Sequence, residues 1–157
     1  MIALVLAAAA AAALYFYPRP AQPSVKVYFF KGEKLFAVER PLQRNETPLK
    51  RALEELMAGP NKGEIGQGIA TQLPAGTKVL NARITGSTAT INFNRKLENY
   101  GGGSTRLQGM IAQIVYTATD IPGVEKAWIW IESRKEVVLG GEGLVLDHPL
   151  SRGEISY

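Results

Sequence analysis

"TATINFNRKLENYGGGSTRLQGMIAQIVYTATDIPGVEKAWIWIES", Thr88 to Ser133, decides the fold. It opens by alternating. Ala89, Ile91 and Phe93 face one way; Thr88, Thr90 and Asn92 face the other. That is the pattern of a half-buried strand. Gly101, Gly102 and Gly103 then interrupt the chain. Beyond them Leu107, Met110, Ile111, Ile114, Val115 and Ala118 recur at helical spacing and predict a helix with one buried stripe. Thr105 and Gln108 match a capping box for it. Pro122-Gly123 ends the segment. "VEKAWIWIES" alternates again as a strand, with Ala127, Ile129 and Ile131 on one side and Trp128 and Trp130 on the other.

Working outward, the same reading applies to both flanks. "SVKVYFFKG" is a strand with Val25, Val27 and Phe29 on one face and Lys26, Tyr28 and Phe30 on the other. Gly32-Glu33 turns it into a second strand, "LFAVERPL". "TPLKRALEELMAGP" is a punctuated helix: Thr47 is its N-cap, Pro48 suits the first turn, and Gly59-Pro60 ends it. Leu49, Leu53, Leu56 and Met57 form its buried stripe. Residues 61–76 read as an irregular, glycine-rich loop. "TKVLNARITG" and "STATINFN" form a hairpin about Gly86. "KEVVLG" is expected to pair back on the tryptophan strand. The tail "LVLDHPLSRGEISY" is turn-rich and receives no assignment.

The resulting order is ββαββαββ. Strand pairs separated by single helices predict an α+β fold: a two-layer sandwich with both helices on one face of a mainly antiparallel sheet.

The chain has 157 residues, 46% of them apolar and 20% charged, which suits one folded domain with a short appendage. The net charge of +4 is spread over scattered pairs such as Lys50-Arg51, Arg95-Lys96 and Arg134-Lys135. No basic stripe marks a nucleic-acid partner. There is no cysteine. Disulfides, thiolate catalysis, zinc–thiolate sites and a lipid-modified cysteine are therefore excluded.

The first seventeen residues, MIALVLAAAAAAALYFY, carry no charged side chain. As a helix they would span roughly 25 Å at about 1.5 Å per residue, close to the hydrocarbon thickness of about 30 Å. Tyr15, Phe16 and Tyr17 sit where an interfacial aromatic belt belongs. Residues 18–23, with Pro18, Pro20 and Pro23, make an extended linker. Residues 1–17 are thus expected to be a single-pass membrane anchor. A cleaved signal peptide, which would leave the body secreted, and a soluble alanine-rich helix are the alternatives. Arg19 and Lys26 follow the apolar run and no basic residue precedes it, so the positive-inside rule taken literally puts the body in the cytoplasm.

The residues offer three chemical readings. Gly101 to Thr105 precedes a helix as a phosphate loop does, but no Lys stands before the Ser-Thr pair and the glycine spacing is wrong. His148, the only histidine, lies in Asp147-His148-Pro149 and no serine sits in a nucleophile elbow. It reads as a surface or hydrogen-bonded turn residue. A glycosidase-type carboxylate pair needs only to meet in space, and Glu54, Glu55, Glu132, Glu136 and Glu142 are its candidates. An envelope hydrolase acting on cell-wall glycan is therefore the alternative function. No catalytic residue, metal ligand or cofactor is expected. The sharper signal is aromatic. Trp128 and Trp130 leave the core face, and strand parity sends Tyr28 and Phe30 the same way. The four are the candidate binding residues for a partner protein, a second copy or glycan rings.

The chain resembles the GerMN domain family of sporulation and germination proteins. The likeness covers about Val25 to Leu146. It rests on "VYFFKGEKLFAVERPL", on "ALEELMAGP" before "LPAGTKVL", on "ATINFN" before a glycine loop, and on "QIVYTATDIPGVEKAWIWIE". "ELMAGP" and "LPAGTKV" are its more specific pieces. Arg106 stands where relatives often carry an acid, Ser133 stands where a turn glycine is common, and a single copy is present. The resemblance implies one GerMN-like domain over 24–157, extracytoplasmic and membrane-tethered, without enzymatic activity. It implies likeness to the ring-building motifs of secretion systems. Envelope proteins, self-association and peptidoglycan are the partners it implies, and no catalytic residues come with it.

Overall fold

Residues 22–140 and 143–155 are described by the computed structural model. The apolar segment 1–17, expected to be an anchor, and most of the proline linker lie outside them. The N-terminal hairpin forms as its alternation requires. β1 (Ser24–Lys31) and β2 (Lys34–Pro41) pair antiparallel from Ser24↔Pro41 to Lys31↔Lys34. Helix α1 (Pro48–Ala58) begins at the expected Thr47 cap with Pro48 in its first turn. The Thr47 side chain makes no cap hydrogen bond. Leu49, Ala52, Leu53 and Leu56 are buried, while Met57 is only partly so.

Two elements lie in what read as loop. α2 (Lys62–Gly66) is one short helix closed by a capping box: the Asn61 side chain accepts from the Glu64 N–H at 3.0 Å, and Glu64 accepts from the Asn61 N–H at 2.8 Å. β3 (Ile69–Ala70) is a two-residue strand on the free edge of β1. Both escaped the sequence reading because five and two residues are too short to show a period.

β4 (Val79–Thr85) and β5 (Thr88–Phe93) make the expected hairpin. Helix α3 (Gly103–Thr119) then crosses over to β6 (Lys126–Ile131), which pairs parallel to β5. A parallel pair needs such a crossover. Every residue of the expected α3 stripe is buried. The helix starts at Gly103, with left-handed Gly102 as N-cap and no side-chain cap. The Thr105–Gln108 capping box is therefore not formed, because the helix begins two residues before Thr105.

The fold is α+β; the anticipated strands and helices occur in the anticipated order, with α2, β3 and a strand from the unassigned tail added. The sheet differs in detail. The strands divide into β2-β1-β3, β4-β5-β6 and a small hairpin of β7 (Val137–Leu139) with β8 (Leu144–Leu146). "KEVVLG" does not pair along β6, which is bridged instead by Arg134 at Ile131 and by Leu150 at Ala127, and β7 turns to β8. One apolar core joins the strands with α1 and α3, from Val27 and Phe29 through Leu53 and Ile91 to Ile114, Ile129 and Leu139.

The β6 turn explains the bridge from Arg134. Ile131 and Arg134 exchange backbone hydrogen bonds at 3.3 and 2.9 Å across Glu132-Ser133. Glu132 and Ser133 have φ of 51° and 63°. Two consecutive left-handed residues make a type I′ turn, which favours glycine second. An L-residue there costs roughly 1–2 kcal/mol, and glycine gives back part of that gain as unfolded-state entropy. Ser133→Gly should raise stability by about 0.5–1 kcal/mol in denaturant melts. A loss would show that the Asn92 Nδ2–Ser133 Oγ bond at 3.2 Å outweighs the strain.

Candidate functional site

The register of β4, β5 and β6 builds a flat surface row by row. Asn81 stands beside Asn92, and Asn92 beside Trp130; Arg83 stands beside Thr90, and Thr90 beside Trp128. The opposite face of the same strands carries Ala82, Ile91 and Ile129, and this face packs under α3. The tryptophan face therefore points away from that helix.

The two indoles meet edge to face, with ring centroids 5.3 Å apart and planes at 83°. That geometry suits the aromatic quadrupole. Arg83 and Lys135 each lie over Trp130, at 5.4 and 5.3 Å from its centroid. Both cations are exposed. Asn81, Arg83, Thr90, Asn92, Trp130 and Ser133 surround a shallow hollow of about 170 Å³. Asn92 and Ser133 hold one wall by two hydrogen bonds, at 2.9 and 3.2 Å. The Nε1–H groups of Trp128 and Trp130 are shielded from solvent and have no hydrogen-bond partner in the described structure. A buried indole normally finds one.

Of the four predicted binding residues, the structure unites two. Trp128 and Trp130 share the open face. Phe30 does not: it is 1% exposed. Its ring packs against Gly109 of α3, where an added Cβ would lie 3.3 Å from the ring. Local pairing with β3 further encloses it. Tyr28 does leave the Val27–Phe29 face, but it meets α3 instead of the tryptophans. Its hydroxyl donates to Asp120 at 2.9 Å, and its ring packs edge-on to Tyr116. Arg152 closes this cluster over both tyrosine rings and donates to Asp120 at 3.3 Å. Burial, then the bond to Asp120, raises the Tyr28 phenol above its ordinary value. Parity placed Tyr28 correctly within its strand. It failed across strands because β1 and β6 belong to different sheets.

Arg83, Lys135, Asn81 and Asn92 are the residues that sequence reading missed. Arg83 and the two asparagines occupy the polar positions of alternating strands, which was a usable signal. Lys135 lies beyond a turn and carried none.

Of the other candidates, His148, Glu54, Glu55 and Glu132 have partners, while Glu142 lies outside the described residues. His148 sits exposed between Asp147 at 2.6 Å and Glu154 at 3.3 Å, and the Asp147 bond raises its pKa. Ser151 donates to Glu154, not to His148, and this bond holds the Glu154 carboxyl down at about 2. The serine–histidine contact of a triad is not made. Glu55 and Glu64 do converge, but on the guanidinium of Arg40. Glu54 pairs with Lys50, and Glu132 accepts the Arg95 N–H. Among the described residues no cluster of His, Asp and Glu could hold a metal. No helix among them is long and apolar enough to cross a membrane.

Comparison with known proteins agrees with this architecture. The first GerMN domain of the sporulation protein GerM from Bacillus subtilis superposes with a TM-score of 0.69 at 24% identity, covering 84% of this chain and 99% of that one. The tandem GerMN domains of the same protein give 0.67 at 23%, covering 83% of this chain and 46% of that one. A Clostridium perfringens protein described as a lipoprotein gives 0.61 at 21%, with 88% and 95% covered. No curated protein sequence matches the chain. The Germane family model, described as sporulation and spore germination, matches residues 14–137, well over half of the length. The β-hairpin, the α1 stripe and the β5–α3–β6 crossover all lie within that match, and the chain belongs to the Germane family of sporulation and spore germination domains.

Proposed function

We propose that this domain is a membrane-tethered, extracytoplasmic module of the cell envelope that binds a partner protein or peptidoglycan through the Trp128–Trp130 face, without catalysis. One observation carries the reading. Two adjacent, half-buried indoles stand on a sheet face turned away from α3, with exposed Arg83 and Lys135 over one of them. Tryptophan and arginine are the residues that dominate recognition surfaces. The flanking amides of Asn81 and Asn92 add donors and acceptors. Arg83 and Lys135 favour a partner carrying carboxylates or other anions.

Tethering rests on the uncharged run of residues 1–17. The Clostridium perfringens relative is described as a lipoprotein. This chain has no cysteine to acylate, so its own attachment would run through the apolar segment.

The test is a Trp128→Ala, Trp130→Ala double variant of the full chain, crosslinked in membranes. Circular dichroism should show a retained fold, and capture of the partner should weaken at least tenfold, about 1.4 kcal/mol. Arg83→Ser with Lys135→Ser changes exposed residues only and should weaken the same contact. Undiminished crosslinking in both folded variants would remove this face from consideration.

A further inference from the structure

We propose that β4 pairs with β4 of a second copy of this chain, antiparallel about a two-fold axis through Ala82. The argument starts at the hairpin. Thr85↔Thr88 closes the two-residue turn Gly86-Ser87, and Gly86 has φ +59°, as the first residue of a type II′ turn requires. The closing pair of such a hairpin exchanges its hydrogen bonds inward, and so does every second residue beyond it. Thr85, Arg83 and Asn81 are thus bonded to β5. The N–H and C=O groups of Ile84, Ala82 and Leu80 point outward. β4 is the last strand in the order β4-β5-β6, so among the described strands none takes up those groups.

The side chains repeat the message. Leu80 and Ile84 are 51% and 45% exposed, large apolar residues on an open edge. They border a groove of about 720 Å³ between β4 and α1, where Leu49, Leu53 and Met57 supply the other wall. About an axis at Ala82, Leu80 of each copy meets Ile84 of the other. Asn81 meets Arg83, so no like charges stand directly opposed. Arg83 is the only charged residue of Val79–Thr85, and its guanidinium is drawn over Trp130, away from the seam. Lys50 and Glu54 share the groove rim with opposite charge, which keeps a self-facing contact balanced. The other long edge strand, β2, is guarded differently: it carries Lys34, Glu39, Arg40 and Pro41. Charge and proline are common protections of an edge, and β4 lacks both at its outward positions. The bulge between Val79 and Asn81 limits the seam to Leu80–Ile84.

Such a pair would form a continuous six-stranded sheet. A two-fold perpendicular to the sheet keeps both tryptophan faces on one side, where one extended ligand could engage both. The pairing itself does not depend on what those faces bind.

The chain has no cysteine, so a single introduced thiol reports cleanly. Directly opposed Cα atoms in an antiparallel pair lie about 5.5 Å apart or closer, within disulfide reach. Mild oxidation of full-length Ala82→Cys in membranes should give a covalent dimer, and Ala37→Cys on β2 should not. Light scattering of the detergent-solubilised full chain should give a dimer. Leu80→Lys with Ile84→Lys, both at exposed positions, should make it a monomer. A monomeric wild type, a dimer that survives the lysines, or the absence of an Ala82→Cys crosslink would each overturn the proposal. A monomer that takes up an added extended peptide on β4 would overturn it too, by giving the edge to a different occupant.

Discussion

Arg40→Ala should destabilise the domain by about 3–5 kcal/mol, the range for breaking a buried ion pair from one side. Arg40 lies on β2 and is only 11% exposed along its side chain. Two of its nitrogens grip Glu64 of α2 at 2.7 Å each, and its Nε meets Glu55 of α1 at 2.8 Å. One guanidinium thus ties the edge hairpin to two helices. The Glu64 side chain is equally shielded, 11% exposed, and its remaining support is the Asn61 N–H. Removing the cation leaves that carboxylate desolvated and unpaired. Glu55 keeps Arg51 at 2.7 Å and is less affected.

The same contact sets an acid limb. The hydrogen bonds from Arg40 hold the Glu64 carboxyl below its ordinary value, against the opposing effect of burial. A depressed folded-state pKa contributes stability that is fully present above the unfolded value, about 4.3 for a glutamate. That contribution is lost as pH falls through the folded value. Wild-type stability should therefore fall in acid below that point. In Arg40→Ala burial would outweigh the Asn61 N–H and raise the Glu64 pKa, and this acid loss should flatten. Urea melts at several pH values measure both effects. A change under about 0.5 kcal/mol, the range of an ordinary surface site, with an unaltered acid limb, would show that the network contributes nothing.

Gln113→Leu should cost about 1–3 kcal/mol, because two part-buried backbone groups lose their partner. Gln113 is fully buried in the middle of α3. Its amide nitrogen donates to the Tyr28 carbonyl at 3.0 Å, and its oxygen accepts the Gln72 N–H at 2.6 Å. One turn later Thr117, also fully buried, accepts the Tyr28 N–H at 3.0 Å. β3 covers the edge of β1 only at Phe30 and Lys31. The helix takes over where that strand stops, and its side chains act as the missing ladder. Leucine preserves much of the volume and none of the bonding. Melts within about 0.5 kcal/mol of wild type would mean that water serves these groups equally well.

Gln113 shows why part of the molecule stayed illegible. A glutamine on a helix reads as a solvent-facing residue, and it sits between Ala112 and Ile114 with nothing in its spacing to mark it. Phe30 misled for a related reason. Its alternation pointed outward, yet the glycine at 109 opens a space on α3 that accepts its ring. Residues 62–66 formed a helix too short for periodicity, although Asn61 and Glu64 carried the capping signal in plain view. The tail was unassigned because its contacts are long-range: Leu150 bridges to Ala127, and Arg152 reaches Tyr116 and Asp120.

What the sequence determined by itself is whatever a local period encodes. The α1 and α3 stripes, the β1–β2 and β4–β5 hairpins, the inward set of Ala127, Ile129 and Ile131, and hence the outward direction of both tryptophans all follow from periods of 3.6 and 2. Those periods are imposed by backbone geometry within one element, so no distant residue is needed to read them. Tertiary structure alone decided which sheet each strand joined, that β5 and β6 run parallel, that Arg83 and Lys135 come to Trp130, and that Tyr28 goes to Asp120 and Arg152 instead. Strand partners are chosen by burial and edge pairing among elements far apart in the chain, and a side chain's parity says only which side of its own sheet it leaves.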